Sequence, residues 1–148
     1  MPKYKSHGVE EEIIPRDRCA EFARILRAQI LEQRNGLCTV ARKRNIEVEI
    51  AGKPARSPLV LDALFSFESK DREGRTLNLG ETVILQREIN PFISALRQQG
   101  IIVTALHNHW LFETPRLFYI HFLSIDQPLS FARKVARAFM LLEDDHFI

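Results

Sequence analysis

The sequence has little glycine, few cysteines and no long apolar run. It holds 6 glycines in 148 residues, and it has no glycine-rich phosphate loop, no Gly-x-Ser-x-Gly elbow and no Cys-x-x-Cys pair. Nucleotide hydrolysis, lipase chemistry and thiol redox chemistry are therefore disfavoured, because each depends on one of these motifs. No window approaches the roughly 18 consecutive apolar residues of a membrane span, and the N-terminus lacks the apolar core of a secretory signal. We expect a cytoplasmic protein with no membrane partner.

Only two cysteines are present, Cys19 and Cys38, which is too few for a disulfide framework. The cytoplasm keeps thiols reduced. Both side chains are therefore predicted to be free thiols, packed as small apolar groups in the interior.

The charge balance does not identify a binding partner. The net charge is +2 and the pI is near 8.7, which falls short of the concentrated basic face of a dedicated nucleic-acid-binding protein. Arg133, Lys134 and Arg137 lie on one side of a predicted helix and are interpreted as a solvated face. Nucleic acid is not an expected partner.

The composition is typical of one ordinary folded domain, with 45% hydrophobic and 27% charged residues. Residues 1–14 combine lysines, a triple glutamate and little periodicity, and we predict a flexible arm there. Residues 15–148 are predicted to form a single domain, since a chain of this length buries about two thirds of its surface.

The apolar periodicity predicts an α+β fold. Apolar residues with helical spacing predict helices over 17–34, 87–99 and 126–142, with Asn35-Gly36 interpreted as the end of the first. Alternating or continuous apolar runs predict strands over 37–41, 46–50, 63–68, 77–85, 101–106 and 117–123. The last two strands are expected to pair as antiparallel neighbours. Short connections favour an antiparallel or mixed sheet with helices packed mainly on one face.

The densest group of chemically active residues lies between the last two strands. His107 and His109 are two residues apart at a strand end, so their imidazoles can share one side, about 6–7 Å apart. Glu113 follows and can complete a set of two imidazoles and one carboxylate, which suits zinc or iron. Glu113 is also the candidate catalytic base, and Asn108 and Arg116 are candidate ligand-binding residues for a small or anionic molecule.

His121 is a candidate third metal ligand whose participation depends on strand register. If the connection is centred near Phe112, His107 lies opposite Leu117 and His121 lies about 13 Å away. A metal–nitrogen bond is about 2 Å. His121 can therefore join the site only if the two strands are offset from that register, separated by another strand, or brought together in a dimer.

Several interpretations of these residues remain open. The histidines can serve as structural hydrogen-bonding groups, as metal ligands or as metal-free acid–base groups. Arg116 can pair with Glu113 to fix the loop, or it can clamp an anion. The two aromatic residues of the loop, Trp110 and Phe112, are interpreted as anchors of the loop.

The motifs LQREINP over 85–91, GIIVTALHNH over 100–109 and ETPR over 113–116, with Ile120-His121, resemble the LppY/LpqO family of bacterial domains of unknown function. The likeness is strongest from Leu79 to Arg137. It implies a shared fold and a polar site in which the three histidines act with Glu113 and Arg116. Relatives often carry two copies of the domain, so a single copy is expected to associate with a second chain.

Two functional hypotheses follow. The first is a small domain that binds a divalent metal or another ligand through the His107, His109 and Glu113 cluster, with His121 and Arg116 nearby. If this domain is an enzyme, the expected reaction is metal-assisted hydrolysis or hydration. The alternative is a non-catalytic regulatory or interaction domain that oligomerises through its sheet, in which the histidines are structural.

Overall fold

The computed structural model describes residues 17–142, so the arm predicted over 1–14 lies outside the described residues. The described range contains four α-helices and nine strands. The helices are α1 (Arg18–Leu26), α2 (Pro58–Leu61), α3 (Ile89–Gln98) and α4 (Pro128–Phe139), with a 3-10 turn (Gln86–Glu88) before α3. The strands are β1 (Gln29–Arg34), β2 (Leu37–Lys43), β3 (Glu49–Ile50), β4 (Lys53–Pro54), β5 (Asp62–Glu68), β6 (Thr76–Leu85), β7 (Ile102–His107), β8 (Glu113–Thr114) and β9 (Leu117–Asp126).

Six strands form the main sheet in the order β1-β2-β5-β6-β9-β7, and every neighbouring pair is antiparallel. A small second sheet has the order β4-β3-β8. The predicted α+β class with an antiparallel sheet is confirmed. The predicted antiparallel pairing of the last two long strands, β7 and β9, is confirmed as well.

One face of the main sheet is covered by α1, α3 and α4 and holds most of the core. The apolar residues of these helices pack against Val40, Phe65, Ile84, Ile120 and Phe122 of the strands. The cluster is rich in aromatic rings that meet edge to face, with centroids 4.9 to 6.0 Å apart in four pairs. The prediction that the helices pack mainly on one face is therefore confirmed.

The opposite face of the sheet is covered at one end only. There Val83, Leu85, Leu117 and Tyr119 form a second apolar cluster with side chains from α2 and the small sheet. Toward the other end of β6 and β9 the same face carries Glu81, His121, Leu79 and Leu123, all partly exposed. We call this uncovered area the open face; it brings polar side chains onto a rigid sheet.

A glycine fixes the close contact between the two central strands. Gly80 of β6 lies directly opposite Phe122 of β9. A methyl group at position 80 would lie 2.3 Å from the Phe122 ring, so only glycine fits under it. This contact helps to set the β6–β9 register, which places Glu81 opposite His121.

The helix predicted over 17–34 is wrong in its second half. The helix α1 ends at Leu26 because Arg27 adopts a left-handed conformation (φ 56°), and the chain then turns into β1. Asn35 and Gly36 both have positive φ and join β1 to β2, with Arg34 opposite Leu37. Asn-Gly is the preferred sequence of a two-residue hairpin turn, and here it closes a hairpin rather than a helix.

The strand predicted over 46–50 is largely wrong as a strand. Only Glu49 and Ile50 form β-ladder bonds, to β4 and β8. The apolar alternation still has a physical meaning, because Ile46, Val48 and Ile50 pack into the second cluster while Glu47 is exposed. The alternation therefore predicted which side chains are buried, but it did not show that residues 46–48 lack a neighbouring strand to pair with.

The prediction of two free cysteines is wrong. Cys19 of α1 and Cys38 of β2 form a disulfide with their Cα atoms 5.6 Å apart, and both are buried in the helix-covered core. Burial was predicted correctly, but the two cysteines face each other because α1 folds back onto β2 through the β1–β2 hairpin. The error came from the expected reducing compartment, because residue spacing alone does not determine pairing.

The charged strip predicted on the last helix is partly engaged by neighbouring residues. Lys134 donates to Asp126 at 2.8 Å, and Arg137 donates to Gln99 at 2.7 Å. These contacts tie α4 to the end of β9 and to the end of α3. Across residues 17–142, every helix is too short or too polar to traverse a lipid bilayer.

Candidate metal centre

Strand register brings His107 and His121 together on the open face. His107, the last residue of β7, lies opposite Tyr119, and Ala105 lies opposite His121. The predicted alignment of His107 with Leu117 is wrong by two residues. The connection contains β8, which pairs with the small sheet, and β7 has an irregularity between Val103 and Ala105. His121 is therefore a diagonal neighbour of His107, a position from which side chains reach each other.

Three histidines form one compact group. The ring centroids of His107 and His109 are 4.9 Å apart, and those of His107 and His121 are also 4.9 Å apart. One nitrogen from each of the three rings lies within 4.8 Å of the other two. Nitrogens bound to a single tetrahedral ion lie about 3.3 Å apart. Side-chain rotations that shorten the longest nitrogen–nitrogen distance by about 1.5 Å would therefore close the group around an ion. His107 and His109 are exposed and can make them.

Tyr119 supports the histidine group from below. Its ring stacks on His109 with centroids 3.9 Å apart and planes 8° from parallel. The hydroxyl donates to the carbonyl of Val60 at 2.8 Å and accepts from Trp110 at 3.0 Å. Burial raises the pKa of Tyr119, so the phenol stays neutral and acts as a fixed platform. The His109 ring is thereby oriented although it lies in a loop.

The two nitrogens of His121 have different surroundings. Nδ1 lies 3.2 Å from Oε1 of Glu81, the residue directly opposite on β6. Nε2 is buried and has no hydrogen-bond partner among the described residues. Buried polar atoms are almost always satisfied, so an imidazole nitrogen without a partner beside two other imidazoles is a candidate metal ligand.

The surroundings of His109 keep its imidazole in the form that binds metals. Burial and then the neighbouring His107 lower the pKa of His109, with His121 adding to the effect and Glu81 opposing it. A lowered pKa leaves His109 neutral near pH 7, and neutral imidazole is the form that coordinates metals.

Glu113 and Asn108 lie beside the histidines but outside the group of three. Asn108 Nδ2 donates to Glu113 Oε2 at 3.2 Å and to the carbonyl of Leu117 at 2.9 Å. The Glu113 carboxylate, whose side chain is only 4% exposed, also accepts from the Leu117 amide at 3.3 Å. These bonds close the loop between β7 and β9 and hold His107 and His109 on either side of Asn108.

Arg116 lies at the outer edge of this network. Its Nε is 3.6 Å from Glu113 Oε2, so the predicted pairing is present, and its guanidinium lies 5.9 Å from the Phe118 ring. Trp110 packs into the second cluster as the predicted anchor. Phe112 is 77% exposed, so its predicted anchoring role is wrong. Its backbone has a positive φ of 67°.

A shallow groove of about 350 Å³ extends from His121 along the open face. Its walls include leucines, the hydroxyls of Thr39, Ser66 and Thr104, and the carboxylate of Glu81. The histidine group thus borders a space that a small molecule can enter.

Glu81 is the site residue that sequence reasoning missed. It is the only charged residue of β6, whose other members are apolar, small or uncharged polar residues. A lone carboxylate in such a strand was the available signal. Its proximity to His121 depends on a pairing between strands about forty residues apart in the sequence, which periodicity does not reveal.

Comparison with known proteins identifies a family but no activity. The DUF1529 family model, described as a Domain of Unknown Function (DUF1259), matches residues 20–141, which include the whole candidate site. No curated protein and no solved structure matches the chain.

Proposed function

The chain belongs to this family of unknown function, and we propose that it binds one divalent metal ion, zinc or iron, through His107, His109 and His121. The observation that carries the proposal is the convergence of three imidazole nitrogens, one from each histidine, within 4.8 Å of one another. In addition, Nε2 of His121 is buried and has no partner among the described residues. Imidazole is a borderline ligand that suits both metals.

Three protein ligands leave a coordination position open. In catalytic zinc sites the fourth position holds water or substrate, whereas structural sites are closed by a fourth protein ligand. The described residues offer three mutually close ligand atoms here, all from histidine. This count favours a site that exchanges ligands over a purely structural one.

The reaction class that fits is hydrolysis or hydration. When bound, the metal lowers the pKa of its water to about 7 and supplies the nucleophile at neutral pH. Within the proposal Glu113 acts as the general base, and Asn108 and Arg116 orient a small or anionic ligand. Support for this part is the shared hydrogen-bond network of the three side chains next to His107 and His109.

Metal analysis of untagged protein tests the proposal. The wild type is expected to hold up to one zinc or iron per chain and to take up one added zinc. The His107→Ala, His109→Ala double variant should contain no bound metal and should take up no added zinc. The Asn90→Ala, Gln98→Ala double variant changes two exposed residues of α3 and serves as the control. Metal content equal in the two double variants contradicts the proposal.

A second candidate function is self-association of a non-catalytic interaction domain. The observation in its favour is the apolar character of the open face, where Ile125 is 59% exposed, Ile102 51% and Leu79 37%. A second copy of this chain is the proposed occupant. Sedimentation velocity should show a dimer that Ile125→Lys dissociates; a monomer at all concentrations rejects the idea.

We also propose that the chain is related to the LppY/LpqO family, on the motifs over 85–91, 100–109 and 113–116. The cytoplasmic location predicted from the sequence conflicts with the disulfide. A disulfide between Cys19 and Cys38 favours an oxidising compartment, because cytosolic thiols are kept reduced. Trapping thiols with an alkylating agent at lysis distinguishes the two. Two alkylated cysteines support the cytoplasm, and none supports an oxidising compartment.

A further inference from the structure

We infer that Glu81 is a positioning residue of the metal site, acting through His121. The inference rests on the proposed function, since it assigns the carboxylate that orients one of the three ligands. Glu81 occupies the central strand β6 and faces His121 directly across the β6–β9 ladder. The carboxylate side chain is 39% exposed and the imidazole 27% exposed, so the pair lies at the boundary between sheet and solvent.

Contact between the two side chains selects one tautomer of His121. Oε1 of Glu81 lies 3.2 Å from Nδ1, within hydrogen-bonding distance. A carboxylate only accepts hydrogen bonds, so the proton of a neutral imidazole is held on Nδ1. The lone pair is then on Nε2, the buried atom that has no partner in the described part of the chain. A nitrogen in this state is able to coordinate a metal ion.

The backbone fixes Glu81 in this position. Its neighbour Gly80 lies under the Phe122 ring, and Leu64 of β5 pairs with Glu81 on the other side. A strand hydrogen-bonded on both sides allows little translation of the Glu81 Cα atom, from which the carboxylate reaches His121. Side chains on rigid central strands hold a ligand more accurately than side chains on loops. His107 and His109, at the end of β7 and in the following loop, have no such support.

Glu81 is placed for an outer role and not for direct coordination. The group of mutually close ligand atoms contains the three histidines and no carboxylate. In histidine-ligated metal sites, a carboxylate on the second ring nitrogen raises ligand basicity and fixes ring orientation. Removing such a partner typically weakens metal binding about 10- to 100-fold.

Zinc affinity of purified, metal-stripped protein tests this role. Competition with a chromogenic chelator should show about 10- to 100-fold weaker binding for Glu81→Ala. Glu81→Gln keeps an acceptor oxygen and should fall between that variant and the wild type. Glu47→Ala, a change at an exposed carboxylate in the loop before β3, is the control and should bind as the wild type does. Far-UV circular dichroism checks that each variant is folded.

Long-range nitrogen–proton NMR of the metal-free protein provides an independent readout. His121 is expected to carry its proton on Nδ1 in the wild type and to show a mixture of tautomers in Glu81→Ala. Equal zinc affinity in wild type and Glu81→Ala overturns the inference while leaving the metal proposal intact. Absence of zinc binding in the wild type overturns the metal proposal itself. An Nε2–H tautomer in the wild type overturns the role of Glu81 on its own.

Discussion

The two faces of the main sheet use aromatic rings for opposite purposes. On the helix-covered face Phe65, Phe92, Phe122 and Phe139 meet edge to face in a sealed core, and each is at most 2% exposed. On the other face the rings belong to His107, His109, His121 and Tyr119, whose neighbouring centroids are 3.9 to 4.9 Å apart, and His121 borders a groove.

A single strand supplies both faces. Phe122 and His121 are adjacent in β9 and point in opposite directions, because successive side chains of a strand alternate. Adjacent residues of β9 therefore serve different purposes: Phe122 stabilises the core, and His121 belongs to the candidate metal site. Substitutions on one face should change the free energy of unfolding, and substitutions on the other should change metal binding with little effect on folding.

The largest expected effect comes from the sealed face. Phe122→Ala removes a ring that contacts Phe92 and Phe131 and covers Gly80, leaving a cavity. Burial of this kind predicts a loss of about 3–5 kcal/mol in the free energy of unfolding, measured by urea denaturation. His121→Ala, one residue away and partly exposed, should cost much less but abolish zinc uptake. Similar stability losses in the two variants would contradict the separation of the faces.

The disulfide is the next largest contributor. Cys19 and Cys38 are separated by 19 residues, and closing a loop of that size stabilises a fold by about 3 kcal/mol. A reducing agent should lower the urea midpoint of the wild type and leave that of the Cys19→Ala, Cys38→Ala double variant unchanged. Zinc affinity should not change on reduction, because the bond lies within the helix-covered core. A midpoint insensitive to reductant indicates free thiols.

A smaller effect is expected from the loop beside the open face. Asn108→Ala removes the donor to Glu113 and to the Leu117 carbonyl, leaving a nearly buried carboxylate with fewer partners. Losing such hydrogen bonds costs about 1–3 kcal/mol. Zinc affinity should fall too, since Asn108 lies between His107 and His109. Asn90→Ala, an exposed position in α3, is the control and should stay within about 0.5 kcal/mol of the wild type.

Elements with strong local patterns were predictable from the sequence. The strands β5, β6 and β9 and the helices α3 and α4 were predicted within a few residues, because apolar periodicity directly reports which side chains are buried. The boundary of α1 was missed because helical spacing continued by chance to Ile30, which lies in β1. A single left-handed residue, Arg27, ends the helix, and no residue preference announces it.

Site residues close in sequence were predictable, and those joined by strand pairing were not. His107, His109, Asn108 and Glu113 lie within seven positions, so their proximity follows from the chain itself. His121 depends on the offset between β7 and β9, and Glu81 depends on the register between β6 and β9. Such registers depend on contacts between residues that are distant in sequence, here Gly80 and the Phe122 ring that covers it.

The smallest effect concerns the protonation of His109 on the open face. Its pKa is lowered from 6.5, first by burial and then by the positive charge that His107 would carry. The unfolded chain therefore takes up this proton at a higher pH than the folded protein does. The contribution of His109 to stability is complete above about pH 6.5 and declines as the pH falls toward the folded pKa.

Two measurements check this expectation. NMR titration of metal-free protein should give His109 a lower pKa than a histidine in a model peptide. The melting temperature should fall between about pH 6.5 and 5 by more in the wild type than in His109→Gln, which keeps a polar side chain but cannot titrate there. A further test is His107→Gln, which removes the nearest neighbouring charge and should raise the pKa of His109. If that pKa does not move, burial alone sets it, and the imidazoles are not close enough to share one metal ion.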